Sequence, residues 1–322
     1  MNPDLFPDTP APFDEGHLAS GDGHLIWYAQ YGSRDGIPLL WLHGGPGSAS
    51  SLRQLHLVDL TRYRVLLSDQ RGCGRSLPLG GLQRNDTRML VGDIARLHAH
   101  LRLGPMVVGG GSWGAALALA YAASHGASVA ALLLRAPFLA TREEIEGFFA
   151  PPADRPQDDW EEFAALAPPS QRRRLLPWLA QQLASASQEE RERIARGWRL
   201  YELRLESGGA APQPLVDDAL IARYRVQAHY LLHECFLDPG AVLAAARATH
   251  GLPAAILHGD ADLVCPPHNA RLLQRCLPES RVCMVEGAGH EPFHPGMASA
   301  LTQALDCYAH NRTFEGWGIR HE

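Results

Sequence analysis

The 322-residue sequence contains no lysine; all 29 of its basic residues are arginine. That absence excludes Schiff-base chemistry on a lysine amine and the phosphate-binding loop that depends on one. No function is drawn from it. No apolar run approaches the about 20 residues that a membrane-spanning helix needs. The opening stretch "MNPDLFPDTPAPFDEG" is polar and proline-rich, unlike a secretory signal, and a cytoplasmic location is expected. Six cysteines lie scattered without metal-ligand spacing, which points to reduced thiols. The net charge of −6 leaves no basic footprint for nucleic acid.

What is present falls into two regimes. From about residue 24 to 138, β-rich runs ("HLIWYAQYG", "PLLWLHG", "YRVLLSDQ", "PMVVGGG", "VAALLLRAP") alternate with amphipathic stretches at 87–101 and 113–125. The pattern returns at 251–309 with "PAAILHGDAD", a helix near 268–276, "RVCMVEGAGH" and a last helix near 297–309. Such alternation predicts an α/β class fold, with a mostly parallel sheet covered on both faces. Between the two, over 139–250, strand signals vanish and the chain is charged, helical and broken by prolines. The expected organisation is a core of 1–138 and 251–322 carrying an inserted helical cap over 139–250. The last stretch, "RTFEGWGIRHE", has no assignment.

Three motifs carry chemistry. "GGSWG" places Ser112 in a G-x-S-x-G turn between a strand and a helix, the nucleophile elbow of α/β-hydrolases. The same letters from Gly109 satisfy G-x-G-x-x-G. A dinucleotide site, however, wants that motif at the first βα turn and an acidic residue ending the next strand, where "LLLRAP" offers Arg135. "HGDADLVCP" then supplies Asp260 and Asp262 just past a strand, and "GAGH" supplies His290 past the last one. Serine, acid, base is the chain order of an α/β-hydrolase triad, with His294 as the fallback base. His290-Glu291-Pro292-Phe293-His294 also spells a zinc-protease HExxH. That chemistry needs a helix, and Pro292 with the flanking glycines makes the segment a loop. "HGGPG" after "PLLWL" offers backbone N–H groups to an oxyanion, with the amides of Gly44 and Trp113 as the expected donors.

Taken in order, "HGGPG", "SDQRGCGRS", "GGSWG", "HGDADLVCP" and "GAGH" resemble the proline iminopeptidases, serine peptidases of the α/β-hydrolase fold, over about residues 15–310. The resemblance implies release of an N-terminal proline from a small peptide through an acyl-enzyme, with no metal or organic cofactor and no nucleic-acid or membrane partner. Ser112 would be the nucleophile, His290 the base and Asp262 its orienting acid, with Asp260 structural. The family recognises the free amine with cap carboxylates. "GWRLYELRLE" matches one such segment through Trp198, Tyr201 and Glu202. "YRVQAHYLL" matches the segment supplying a second glutamate, but here that position is Gln227. Losing that charge costs amine recognition roughly 1–3 kcal/mol. Glu234, seven residues on, would share the helix face but lie about 10 Å along the axis. Phe138, Phe148 and Phe149 are the candidates for a proline-ring pocket, and Cys265 is expected near the site. Two other readings stand beside this one: a serine amidase or esterase indifferent to a free amine, and a non-catalytic binding protein on the same fold.

Overall fold

The computed structural model describes residues 10–151 and 156–318. Eight strands form one sheet in the order β1-β2-β4-β3-β5-β6-β7-β8. These are Asp14–Ala19 (β1), Leu25–Gly32 (β2), Ile37–Leu42 (β3), Tyr63–Ser68 (β4), Met106–Gly111 (β5), Val129–Arg135 (β6), Ala254–Gly259 (β7) and Arg281–Val285 (β8). The β1–β2 and β2–β4 pairings are antiparallel, and every later pairing is parallel. The central strands read as continuous apolar runs because both their faces are covered. Leu40, Leu42, Leu132 and Leu134 point into one core, and Leu39, Trp41, Ala131 and Leu133 into the other.

Ten α-helices complete the described chain: α1 (Thr87–His100), α2 (Trp113–Ser124), α3 (Arg142–Phe148), α4 (Gln157–Ala164), α5 (Leu175–Ser185), α6 (Gln188–Ser207), α7 (Asp218–Leu232), α8 (Ala241–Ala248), α9 (His268–Cys276) and α10 (Pro295–Asn311). Helices α1, α2, α8 and α9 bury their apolar stripes on one face of the sheet, while α10 covers the other. Helices α3 to α8 lie between β6 and β7, where no strand occurs among the described residues. Their starts follow ordinary capping chemistry. Thr141 and Glu144 form a capping box at α3, and the side chain of Asp217 accepts the Leu220 N–H at α7.

Two features departed from the sequence reading. The edge strand β1 has no apolar run, and its residues alternate half-buried and exposed, which hid it. The stretch after α10, which the sequence left without assignment, packs on the core as far as it is described: Phe314 is buried against Tyr308 and Trp317 against Phe314. Residues 319–322 of that stretch lie outside the described residues.

Candidate active site

Because β5 to β8 run parallel, the loops after them open at one end of the sheet, and the predicted residues come from three of those loops. Ser112 sits between β5 and α2 with φ 56° and ψ −124°, a strained backbone for a residue with a side chain. Two glycines make the turn possible. A Cβ on Gly110 would stand 2.3 Å from the Gly114 carbonyl, and one on Gly114 would stand 2.3 Å from that of Leu42. The motif is therefore a packing requirement: helix and strand approach too closely for any side chain there. The serine is left at the positive end of α2.

Asp262 follows β7 and is buried. Its Oδ1 accepts the backbone N–H groups of Val264 (2.8 Å) and Cys265 (2.9 Å). Its Oδ2 lies 2.7 Å from His290 Nδ1 and 3.3 Å from His258 Nε2. The other partner of His258 Nε2 is the Cys265 carbonyl at 3.0 Å, so that nitrogen faces only acceptors and carries the proton. Burial alone would raise the Asp262 carboxyl. The charge and hydrogen bonds of His290 and His258 outweigh it and hold the group well below the usual carboxylate range. Asp260 instead accepts the Gly287 N–H at 2.8 Å, bracing the loop that carries the base.

The serine–histidine bond of a working triad is not made in this structure. Ser112 Oγ instead faces the Sγ of buried Cys265 at 3.8 Å, while Ser112 and His290 line the same cavity. Residues 287–294 are not helical, and α10 starts only at Pro295, so His290 and His294 are not set one turn apart. No group of three or more His, Cys, Asp or Glu among the described residues is arranged to hold a metal ion.

The "HGGPG" loop lies directly on the elbow: a Cβ on Gly44 would be 3.4 Å from that of Ser112. What holds it there is Gln70, a residue the motif reading left without a role. The Gln70 backbone N–H donates to His43 Nε2 (2.9 Å), and its side-chain amide donates to the His43 carbonyl (2.8 Å). The Trp113 indole donates to the Gln70 oxygen (2.9 Å), so one side chain ties the loop to the elbow helix. Burial pushes the His43 imidazole toward its neutral form, which this acceptor role requires. The rest of "DQRGCGRS" braces the same region: Asp69 accepts from Ser50 N–H and Arg75, and buried Arg71 pairs with Asp93.

A cavity of about 320 Å³ opens between this sheet edge and the helical insert. Phe138, Phe148, Phe149, Glu202 and Gln227 all line it. Phe149 packs edge-on against buried Trp198 (5.3 Å), and Tyr201 stacks on Phe163 (4.6 Å); neither Trp198 nor Tyr201 reaches the cavity wall. Glu202 accepts from Gln227 Nε2 (2.6 Å) and the Tyr224 hydroxyl (2.8 Å). It also pairs with Arg223 (3.0 Å) and Arg199 (3.6 Å). Arg199 makes a second pair with Glu206 at 3.0 Å. Burial would raise Glu206, but the charges of Arg199 and Arg223 prevail and hold it low. Arg223 and Arg135, whose Nη1 donates to the His290 carbonyl at 2.7 Å, carried no signal in the sequence, whereas Arg199 stands three residues before Glu202 on the same helix, a spacing that pairs them. Glu234 does not share the face of Gln227. The helix ends at Leu232, Glu234 has a positive φ of 48°, and its carboxylate pairs with Arg142 at 2.5 Å.

Comparison with known proteins agrees with this geometry. The family model described as alpha/beta hydrolase fold matches residues 37–296. A proline iminopeptidase of Xylella fastidiosa is 35% identical over 316 residues, covering 94% of this chain and 99% of that protein. The proline iminopeptidase of Arabidopsis thaliana is 34% identical over 300 residues, covering 91% and 79%. Among solved structures, the esterase RhEst1 from Rhodococcus sp. ECU1013 superposes with a TM-score of 0.59 at 20% identity, covering 92% of this chain and 98% of that one. The similarity in sequence is nearly end to end, and the chain belongs to the proline iminopeptidase family of the α/β-hydrolase fold.

Proposed function

We propose that this chain is a serine aminopeptidase that releases N-terminal proline from short peptides. Ser112 Oγ attacks the carbonyl of the first residue, and His290 Nε2 takes its proton and later gives it to the leaving amine. Asp262 holds the imidazole in the tautomer with its proton on Nδ1. The amides of Gly44 and Trp113 receive the developing oxyanion. To begin, the serine hydroxyl turns from Cys265 toward His290; such bonds commonly tighten only around the substrate. Phe138, Phe148 and Phe149 form the apolar wall for the ring, and Glu202 with Gln227 face the amine end. The helical insert at 139–250 acts as the cap that closes this chamber and limits the substrate to a chain end.

The observation that carries the proposal is the 2.7 Å Asp262–His290 contact behind a cavity that His290 and Ser112 line together with Phe138, Phe148 and Phe149. All six cysteines are free thiols, which supports a reducing, cytoplasmic setting. A panel of free and N-acylated aminoacyl arylamides tests the reading. Proline arylamide should be cleaved and its N-acyl analogue left intact, with activity lost on fluorophosphonate labelling of Ser112. Equal turnover of the acylated substrates would favour an amidase or esterase instead, a reading that the arginine-paired state of Glu202 lends some weight.

A further inference from the structure

An oxyanion donor carried by a glycine has to be aimed from outside. Gly44 cannot gain a side chain: a Cβ there would stand 3.0 Å from the Gly111 carbonyl and 3.4 Å from the Ser112 Cβ. The residue that must point its backbone N–H at the substrate oxygen is therefore the one whose backbone turns most freely. Its direction is set by the two peptide planes that flank it. The plane joining His43 to Gly44 is rigid and trans, so its C=O and N–H point to opposite sides. Whatever holds the His43 carbonyl thereby aims the Gly44 N–H. The Gln70 side-chain amide holds it, at 2.8 Å. In the next plane the Gly44 carbonyl lies 3.0 Å from His43 Nδ1. The His43 ring is fixed in turn at Nε2, which accepts the Gln70 backbone N–H at 2.9 Å, so Nδ1 carries the proton and donates to Gly44. Both planes trace to Gln70.

The second donor is tied to the same side chain. Gln70 Oε1 accepts the Trp113 indole N–H at 2.9 Å, and the Trp113 backbone N–H opens α2 directly after Ser112. The Gln70 amide has one possible orientation, because the indole can only donate and the His43 carbonyl can only accept. Donation to that carbonyl also polarises the peptide and strengthens its N–H as a donor. Neither the Gly44 nor the Trp113 backbone N–H has an acceptor among the described residues. Gln70 itself is buried and forms no part of the cavity wall, so it reaches the reaction only through these neighbours.

Resting on the aminopeptidase reading, we infer that Gln70 is the positioning residue of the oxyanion hole, its one amide directing both donors through the His43–Gly44 peptide and through Trp113. Gln70→Met keeps the length of the side chain and removes both amide contacts. In the full chain, kcat for proline 4-nitroanilide should fall by about 10²-fold, the order of one lost oxyanion donor, with KM little changed. Affinity for pyrrolidine-2-boronic acid should fall in step with kcat, because its boron takes up the Ser112 oxygen to become a tetrahedral anion while the serine proton passes to His290. Affinity for L-prolinol, with the same ring and amine but nothing for the serine to attack, should stay at the wild-type value. Trp113→Phe removes the indole contact, keeps the backbone N–H, and should show the same split with a smaller loss. If Gln70→Met lacks the wild-type circular dichroism spectrum, Trp113→Phe decides alone. Wild-type kcat and boronate affinity in the deciding variant, or a parallel loss of boronate and prolinol affinity, would overturn the inference alone. Folded wild-type protein that neither turns over the anilide nor binds the boronate would remove the aminopeptidase reading, and the inference with it.

Discussion

Replacing Asp262 with Asn tests the proposed mechanism at its most constrained point. The two oxygens of Asp262 have different neighbours: Oδ1 accepts two backbone N–H groups, at 2.8 and 2.9 Å, and Oδ2 faces His290 Nδ1 and His258 Nε2. The asparagine oxygen must therefore remain on the backbone side, because the opposite rotamer would set an NH2 group against two N–H groups. Each donor left unsatisfied in this buried place costs about 1–3 kcal/mol. In the retained orientation the new NH2 points at His290 Nδ1 and donates to it, so the ring proton moves to Nε2. That tautomer cannot accept a proton from Ser112. The expected loss in kcat for proline arylamide is about 10⁴-fold, or roughly 5 kcal/mol, with KM nearly unchanged. Steady-state kinetics on protein with wild-type circular dichroism is the assay. A loss below tenfold would mean that His290 does not depend on Asp262, and the reasoning would fail.

The same carboxylate links stability to acid. Its folded pKa is depressed, so its contribution is complete above the unfolded value of about 3.9 and is lost as pH falls through the folded one. The urea midpoint should drop below about pH 4, and Asp262→Asn should flatten that drop; an identical slope in the variant would contradict it. Gly114→Ala puts a methyl 2.3 Å from the Leu42 carbonyl and should destabilise by about 1–3 kcal/mol or more while displacing the elbow. A wild-type melting temperature with full activity would show that the turn has slack. Gln227→Glu adds a carboxylate next to Glu202, turning the amine wall anionic. It should lower KM for proline arylamide at neutral pH by roughly tenfold, as expected of a charge-assisted bond worth about 1–3 kcal/mol. An unchanged KM would detach position 227 from amine recognition.

How much of this was readable from the chain alone varies with the range of the interaction. The buried parallel strands announced themselves as apolar runs, whereas β1 did not, since an edge strand covered on one side by so few apolar residues has little pattern to show. Ser112, Asp262 and His290 were legible because local rules place them: glycine spacing for the turn, and strand ends for the other two. Gln70, His258 and Arg135 were not, since each acts through contacts with residues distant in sequence or through a tautomer set by its neighbours. Glu234 was misplaced because helical extrapolation past Leu232 ignored the positive-φ turn that follows. Phe314 and Trp317 had no periodic context, yet they fill the core beneath α10.

The sequence by itself determined which side chains could do chemistry and in what order they meet the sheet, because parallel strands bring their following loops to one end. It determined the strained turn as well, since only glycine admits the backbone approaches at 110 and 114. Tertiary structure alone decided the electrostatics of the chamber. Whether Glu202 also becomes the partner of Arg223 depends on how α6 lies against α7. Charges interact through space, here at 3.0 Å, and no spacing along the chain encodes that distance across two helices.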